Sequence, residues 1–212
     1  MDLTIIVFLL GGLFLGWSLG ANDAANVFGT AVGTRMIRFK TAAIVCGIFV
    51  ILGAVISGAG TTETLGKLGA INALPGAFAA CIAAGLAVYL MTKLGLPVST
   101  TQAIVGAIVG WNIYTGSPTD IQILITIIGT WILCPIIAGL IAMLLFIITK
   151  KILQFNTMHI LRLDAYTRLA LLLAGAFGAY SLGANNIANV MGVFVPITPF
   201  TDIHIMNTFY LS

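Results

Sequence analysis

Long apolar stretches follow one another along this chain, separated by short charged clusters. The stretch from Asp2 to Arg35 holds one internal charge, Asp23. Thr41–Ala59, Leu68–Thr92, Leu94–Thr119, Ile121–Thr149 and Leu169–Thr201 hold none. A helix needs about 20 residues to cross a bilayer. The pattern therefore predicts six membrane segments in an all-α, polytopic helical membrane protein. From Thr4 to Thr34 a straight helix would run about 45 Å, against a hydrocarbon core of about 30 Å. The excess centres on Gly20-Ala21-Asn22-Asp23, which predicts a broken or tilted helix there. In Leu94–Thr119, Pro97 and the polar run after it predict an interrupted start.

Charge sets the expected orientation. Arg35, Arg38 and Lys40 form one basic cluster, and Lys150, Lys151, Arg162 and Arg168 form another. Short loops rich in Lys and Arg stay cytoplasmic. Both clusters reach the same side if Leu94–Thr119 crosses fully, which predicts an extracellular N-terminus. A re-entrant hairpin at 94–119 is the alternative.

Composition narrows the class. The 212 residues are 60% hydrophobic and 7% charged. An ordinary soluble domain is about a quarter charged, and a disordered chain holds far less apolar side chain. The net charge of +3 is too small and too thinly spread for a nucleic-acid partner. The lipid bilayer is the expected partner, and a multi-pass cell-membrane location follows. Cys46, Cys81 and Cys134 lie singly in apolar runs. They read as small core residues, without disulfide or metal spacing. The N-terminus lacks the basic start of a signal peptide.

An internal repeat gives the architecture. Residues 9–29 read LLGGLFLGWSLGANDAANVFG, and residues 172–192 read LLAGAFGAYSLGANNIANVMG. Without a gap, 13 of the 21 positions are identical. By the expected topology the copies point in opposite directions. Transporters with inverted-topology repeats place the substrate site near the midplane, between the halves. Residues 1–165 would be the first repeat, and 166–212 the incomplete start of a second, inverted one. No second copy of the Pro97–Gln102 element follows Gly192. The expectation is a piece of a longer protein or a half-size form that needs a second half or a homo-oligomer.

Three polar patches lie inside membrane segments. Asn22, Asn26 and Thr30 share a helix face, with Asp23 at its edge. A carboxylate at membrane depth costs at least about 2.5–3.5 kcal/mol on insertion scales and is usually functional. The asparagines alone could equally be interhelical hydrogen-bonding groups. The second patch is Pro97-Val98-Ser99-Thr100-Thr101-Gln102. Its bland reading is a capping box, Ser99 with Gln102 three residues on, which leaves Thr100 and Thr101 unexplained. Hydroxyls at a helix N-terminus, with free backbone N–H groups, make an anion site. The third patch is Asn185, Asn186 and Asn189, where Asn186 stands at the position of Asp23 in the first copy.

Other features weigh less. Gly12, Gly16 and Gly20, and Gly106 with Gly110, form small-residue ridges suited to helix packing. Trp17, Trp111, Trp131 and Tyr114 fit either interface anchors or core. Asp164–Arg168 and Glu63–Lys67 have surface-pair spacing. His159 and His204 lie outside the spans.

These motifs resemble a known family. Gly20-Ala21-Asn22-Asp23-Ala24-Ala25-Asn26-Val27-Phe28-Gly29-Thr30 resembles the first signature of the PiT-type inorganic phosphate transporters. Leu96-Pro97-Val98-Ser99-Thr100-Thr101 resembles their PVSTT element, and Gly183-Ala184-Asn185-Asn186-Ile187-Ala188-Asn189 resembles their second signature. The resemblance implies an inverted-repeat symporter that moves inorganic phosphate with sodium or protons and has no cofactor. It implies a site lined by Asn22, Asp23, Asn26, Ser99, Thr100, Thr101, Gln102, Asn185, Asn186 and Asn189. A coupling sodium would lie at Asp23 and Asn26. This chain departs from the family in carrying Gln102 where His is usual and Asn186 where Asp is usual.

The substrate expectation has a physical argument beside the resemblance. Phosphate near neutral pH carries a proton that a carboxylate can accept, whereas sulfate only repels it. Asp23 thus favours phosphate, and Asn186 weakens that preference, so sulfate is the alternative. In that mechanism Ser99, Thr100, Thr101, Asn22 and Asn189 donate to the anion. An intramembrane hydrolase is disfavoured. Ser99 has no Lys or His in a span to activate it, and Asp23 has no second aspartate beside it. The competing classes are a passive channel and a purely structural half-subunit.

Overall fold

A computed structural model describes residues 3–58, 68, 74–155 and 159–194. Six helices account for nearly all of them: α1 (Leu3–Gly33), α2 (Phe39–Ser57), α3 (Leu74–Lys93), α4 (Thr100–Thr115), α5 (Ile121–Phe155) and α6 (Ile160–Met191). Four of these, α1, α2, α3 and α5, are long and apolar enough to cross a membrane. Two of the six expected segments differ. Helix α4 has 16 residues, about 24 Å at 1.5 Å per residue, short of a crossing. Helix α6 carries Asn185, Asn186 and Asn189 on its second half, which lowers its hydropathy.

Helix α1 is unbroken through Gly20–Asp23, contrary to the expected interruption. No proline interrupts its backbone ladder. The polar side chains find partners on other helices instead of on their own backbone, so nothing local competes with the helix. The length excess is real: 31 residues make about 46 Å.

The break expected at Pro97 is present, and 94–119 turns back along the helix before it. Gly11 and Gly85 are at contact positions between α1 and α3. A Cβ on Gly11 would meet Phe78 and Cys81, and one on Gly85 would meet Phe14 and Leu15. Asn22 pairs with Thr92 further along. Residue numbers rise together, so α1 and α3 run parallel. Gly95 then takes φ +70, the left-handed conformation that suits glycine. Leu96 N–H returns to the Met91 carbonyl, and Pro97 keeps the helix from resuming at once. Ser99 starts α4 by accepting from the Gln102 backbone N–H at 3.3 Å. Helix α4 runs back along α3, burying Ile104, Val105 and Ile108 against Ala77, Ala80, Cys81 and Ala84. Asp120 N–H then bonds the Leu68 carbonyl, 3.1 Å away. The α3–α4 pair is a hairpin whose tip lies beside Asn22 and Asp23 of α1.

Helix α6 runs antiparallel to α1. A Cβ on Gly12 would meet Phe194 and Val190, one on Gly178 would meet Val27, and one on Gly175 would overlap Phe28. At the far end the Arg168 guanidinium donates to the Met36 carbonyl at 3.0 Å. The two like-sequence segments thus cross in opposite directions. The Arg35–Lys40 turn and the start of α6 lie at one end of the bundle, so the hairpin keeps the parity that the charge pattern requires. Helix α2 packs on α6 at backbone distance. A Cβ on Gly53 would overlap the Tyr180 carbonyl, and one on Gly183 the Val50 carbonyl. Ser57 and Tyr180 hydrogen-bond across the same seam.

The first turns of α5 pack Ile123, Leu124, Ile127 and Trp131 against the α3–α4 core. The rest is apolar and exposed, from Ile132 to Leu153, as a lipid-facing helix would be. Several smaller expectations are resolved. Cys46 and Cys81 are buried, but Cys134 is exposed on α5 and is not core. Gly12 and Gly16 pack on Val190, while Gly20, Gly106 and Gly110 have no neighbour within 4 Å among the described residues. Asp164 and Arg168 form an exposed ion pair at 2.8 Å. His159 caps α6 by accepting from Leu161 N–H. Glu63, Lys67 and His204 lie outside the described residues.

Candidate functional site

The three polar patches are brought to one place. Asp23 sits two-thirds along α1, with the N-terminus of α4 on one side and α6 on the other. Thr100 Oγ1 donates to Asp23 Oδ2 at 3.4 Å, and Asn186 Nδ2 donates to the same oxygen at 3.1 Å. Asn189 Nδ2 donates to Thr101 Oγ1 at 3.1 Å and to Asn186 Oδ1 at 2.6 Å. Asp23, Thr100, Thr101, Asn186 and Asn189 therefore form one connected network across three helices. Thr100, Asn186 and Asn189 are buried. A carboxylate that accepts two side-chain donors is partly compensated for leaving water.

A cleft of about 430 Å³ opens beside the network. Asp23, Asn26, Ser99, Thr100, Thr101, Asn185 and Asn186 line it, with Val27, Gly178 and Leu182. A water occupies about 30 Å³ of liquid, so a small oxyanion fits with part of its hydration shell. The start of α4 faces this space. Its first backbone N–H groups lack intrahelical acceptors and carry the positive end of the helix dipole. The chemistry is two-sided: hydroxyls, amides and a helix N-terminus for an anion, and one carboxylate for a proton or a cation.

Seven of the ten expected site residues line the cleft. Three do not. The Asn22 amide turns away and donates to Thr92 Oγ1 of α3 at 2.9 Å. On a helix, Asn22 and Asp23 point about 100° apart, so two adjacent residues serve different interfaces. Gln102 lies one turn into α4 and does not reach the cleft. Asn189 is buried behind Thr101 and holds its hydroxyl in place. Of the expected sodium pair, Asp23 and Asn26 both face the cleft. No cluster of three or more His, Cys, Asp or Glu capable of holding a metal occurs among the described residues.

Sequence reasoning missed Thr92 and Gly178. Thr92 ends an uncharged stretch with no motif around it. Gly178 stands where the first copy has Leu15, and its lack of a side chain lets Val27 approach within 3.3 Å of its would-be Cβ. The mismatch between the copies was the one signal that could have marked it.

Comparisons with known proteins bear on the family and the fold. Residues 19–165 match the Phosphate transporter family. A protein of Pyrococcus furiosus named as a phosphate permease is 37% identical over 165 residues, covering 72% of this chain and 40% of its own length. One of Haemophilus influenzae, named likewise, is 35% identical over 158 residues, covering 69% of this chain and 37% of its own. One of Chlamydia pneumoniae is 33% identical over 207 residues, covering 92% and 48%. The chain thus spans less than half the length of these relatives. A solved structure named as the sodium-dependent phosphate transporter shares the fold, with a TM-score of 0.75 and 22% identity, over 93% of this chain and 70% of that one. A family match across more than half of a chain with several apolar spans leaves one conclusion: this multi-pass membrane protein belongs to the phosphate transporter family.

Proposed function

We propose that the cleft binds inorganic phosphate and that the protein carries it across the membrane by secondary active transport, coupled to a cation. The observation that carries this reading is the position of Asp23 opposite the N-terminus of α4, within hydrogen-bond reach of Thr100. Ser99, Thr100, Thr101 and the free N–H groups of α4 donate to the anion, with Asn26, Asn185 and Asn186 around it. Asn22 and Asn189 act through their neighbours, which revises the donor set read from the motifs. Asp23 accepts the proton of hydrogen phosphate or holds the coupling cation with Asn26. Sodium is favoured over the proton as that cation because the solved structure that shares this fold is named as a sodium-dependent transporter.

The antiparallel crossing of the two like-sequence helices supports an inverted-repeat architecture, with residues 1–165 as the first unit and 166–212 as the start of the second. The basic clusters at one end of the bundle favour a cytoplasmic side for that end, with the N-terminus outside. A second half, supplied by more chain or by another copy, would close the far wall of the cleft.

The test is uptake of radiolabelled phosphate into proteoliposomes holding the intact protein. Accumulation should require a sodium gradient and resist excess sulfate. Sulfate displacing phosphate would select the sulfate permease, and equilibration without accumulation would select a channel.

A further inference from the structure

Helices α1 and α2 do not close on each other. A groove of about 780 Å³ runs between them, from Gly20 to Gly33 along α1 and from Val50 to Phe39 along α2. Gly33 lies 13 residues beyond Gly20, about 20 Å along the helix. Every residue lining the groove is glycine, alanine, valine, phenylalanine or cysteine. A Cβ on Gly20, Gly29, Gly33 or Gly47 would meet nothing within 4 Å among the described residues, so the slot is open along its length. It offers an apolar chain a seat and a polar ligand nothing to bond.

The slot ends at the turn that joins the two helices, and the charge there has one sign. Arg35, Arg38 and Lys40 are exposed, and among the described residues no carboxylate pairs with any of them. Lys40 shares a face of α2 with Ala43 and Gly47, three and seven residues on, which places it at the rim. Arg168 reaches the same turn through the Met36 carbonyl, with Asp164 as its own partner. Arg38 is the N-cap of α2 and makes no side-chain cap bond. The first N–H groups of α2 therefore lack intrahelical acceptors and carry the positive end of its dipole. Arg35, just past the carbonyl end of α1, offsets the opposite pole of that helix. Phe39 is both the first residue of α2 and the end of the groove lining. The apolar slot thus opens onto a cationic helix start.

We propose that this groove seats an anionic phospholipid, with an acyl chain between α1 and α2 and the headgroup phosphate at the α2 N-terminus among Arg35, Arg38 and Lys40. Basic pockets between membrane helices recognise such headgroups through charge. A free phosphate ion would meet the charges and leave the slot empty. A zwitterionic lipid would fill the slot and leave the charges unbalanced. A lipid of net negative charge, such as phosphatidylglycerol, matches both. The groove shares no lining residue with the phosphate cleft, and the proposal does not depend on which anion the protein carries. Occupancy braces α1, the helix that presents Asp23 on another face.

The test is thermal unfolding of the intact protein in a neutral detergent, titrated with lipid. Dioleoyl phosphatidylglycerol should raise the midpoint saturably. Dioleoyl phosphatidylcholine, which lacks the net charge, and glycerol phosphate, which lacks the acyl chains, should raise it far less at matched concentration. Arg38→Gln should raise the half-saturating concentration of phosphatidylglycerol by about fivefold, the scale of one basic residue at a membrane surface. Changing Arg35, Arg38 and Lys40 together to Gln should erase the preference over phosphatidylcholine. Lys150→Gln with Lys151→Gln, on α5 and outside the groove, should keep it. Gly29→Leu and Gly47→Leu fill the slot without altering charge, and each should also raise the half-saturating concentration. An equal shift with phosphatidylcholine or glycerol phosphate, a preference that survives loss of all three cations, or indifference to both groove fillings would overturn the proposal. A midpoint that no lipid moves would do the same and leave the groove to a protein helix.

Discussion

Asp23 and Asn186 occupy the same position in the two copies of the repeated segment, and they hydrogen-bond to each other at 3.1 Å. Gly12 faces Val190 near one end, and Gly175, the second-copy counterpart of Gly12, faces Phe28 near the other. Asp23 and its neutral counterpart therefore meet between these two contacts, where the antiparallel helices α1 and α6 cross.

Asp23→Asn removes the acceptor for a protonated oxyanion and keeps the shape. Sodium-driven phosphate accumulation should vanish, and sulfate should compete more strongly for whatever binding survives. Uptake with both labelled anions checks this. Unchanged accumulation would remove Asp23 from the coupling role.

Thr100→Val deletes a donor at the α4 N-terminus while keeping the β-branched shape. Phosphate affinity should fall by about tenfold, roughly the 1.4 kcal/mol scale of one hydrogen bond to a charged group. Ser99→Ala should lower both phosphate affinity and stability, since it removes an anion donor and also a helix cap that is worth about 1 kcal/mol. Comparing phosphate protection against thermal unfolding with the unfolding midpoint itself separates the two effects.

Gly183→Ala and Gly53→Ala each force a methyl group into a facing backbone carbonyl. Helices α2 and α6 have to move apart, with a loss of about 1–3 kcal/mol or more. Both variants should lower the midpoint of unfolding in detergent. Gly20→Ala, which meets nothing within 4 Å, serves as the neutral control.

Cysteines introduced singly at Arg38 and Lys151 should react with a membrane-impermeant maleimide from the same face of the membrane. Both flank the end of the bundle where Arg168 reaches Met36. Labelling from opposite faces would contradict the path of the α3–α4 hairpin.

Asn186→Asp would place two carboxylates within hydrogen-bond distance. Like charges so close share a proton, so phosphate binding should gain a pH dependence beyond that set by phosphate's own titration in the parent, weakening as the shared proton leaves. A binding titration from about pH 5 to 8 in both forms, the range over which such shared protons leave, reads it directly.

The amino-acid sequence by itself determined the class of the protein, the place of four of its apolar helices and most of the residues that line the candidate cleft. Uncharged runs the length of a bilayer have one low-energy outcome, a helix with every backbone group satisfied internally. A lone aspartate and a Ser-Thr-Thr run are too costly in such surroundings to be incidental, so they marked the site before any contact was known. Pro97 likewise announced a break between α3 and α4.

Only the tertiary structure decided the direction in which each polar side chain acts. Asn22 and Asp23 are adjacent in sequence, yet one pairs with Thr92 on α3 and the other with Thr100 and Asn186. The turn of about 100° between successive residues is legible, but which helix stands at each angle is not. The same limit hid the hairpin: α4 starts beside Asp23 because α3 delivers it there, alongside α1. It also hid the continuity of α1 through Gly20–Asp23, since polar groups that find partners on neighbouring helices no longer compete with their own backbone. Propensity and hydropathy are sums over one segment, whereas the partners of a buried polar group are a property of how several segments meet.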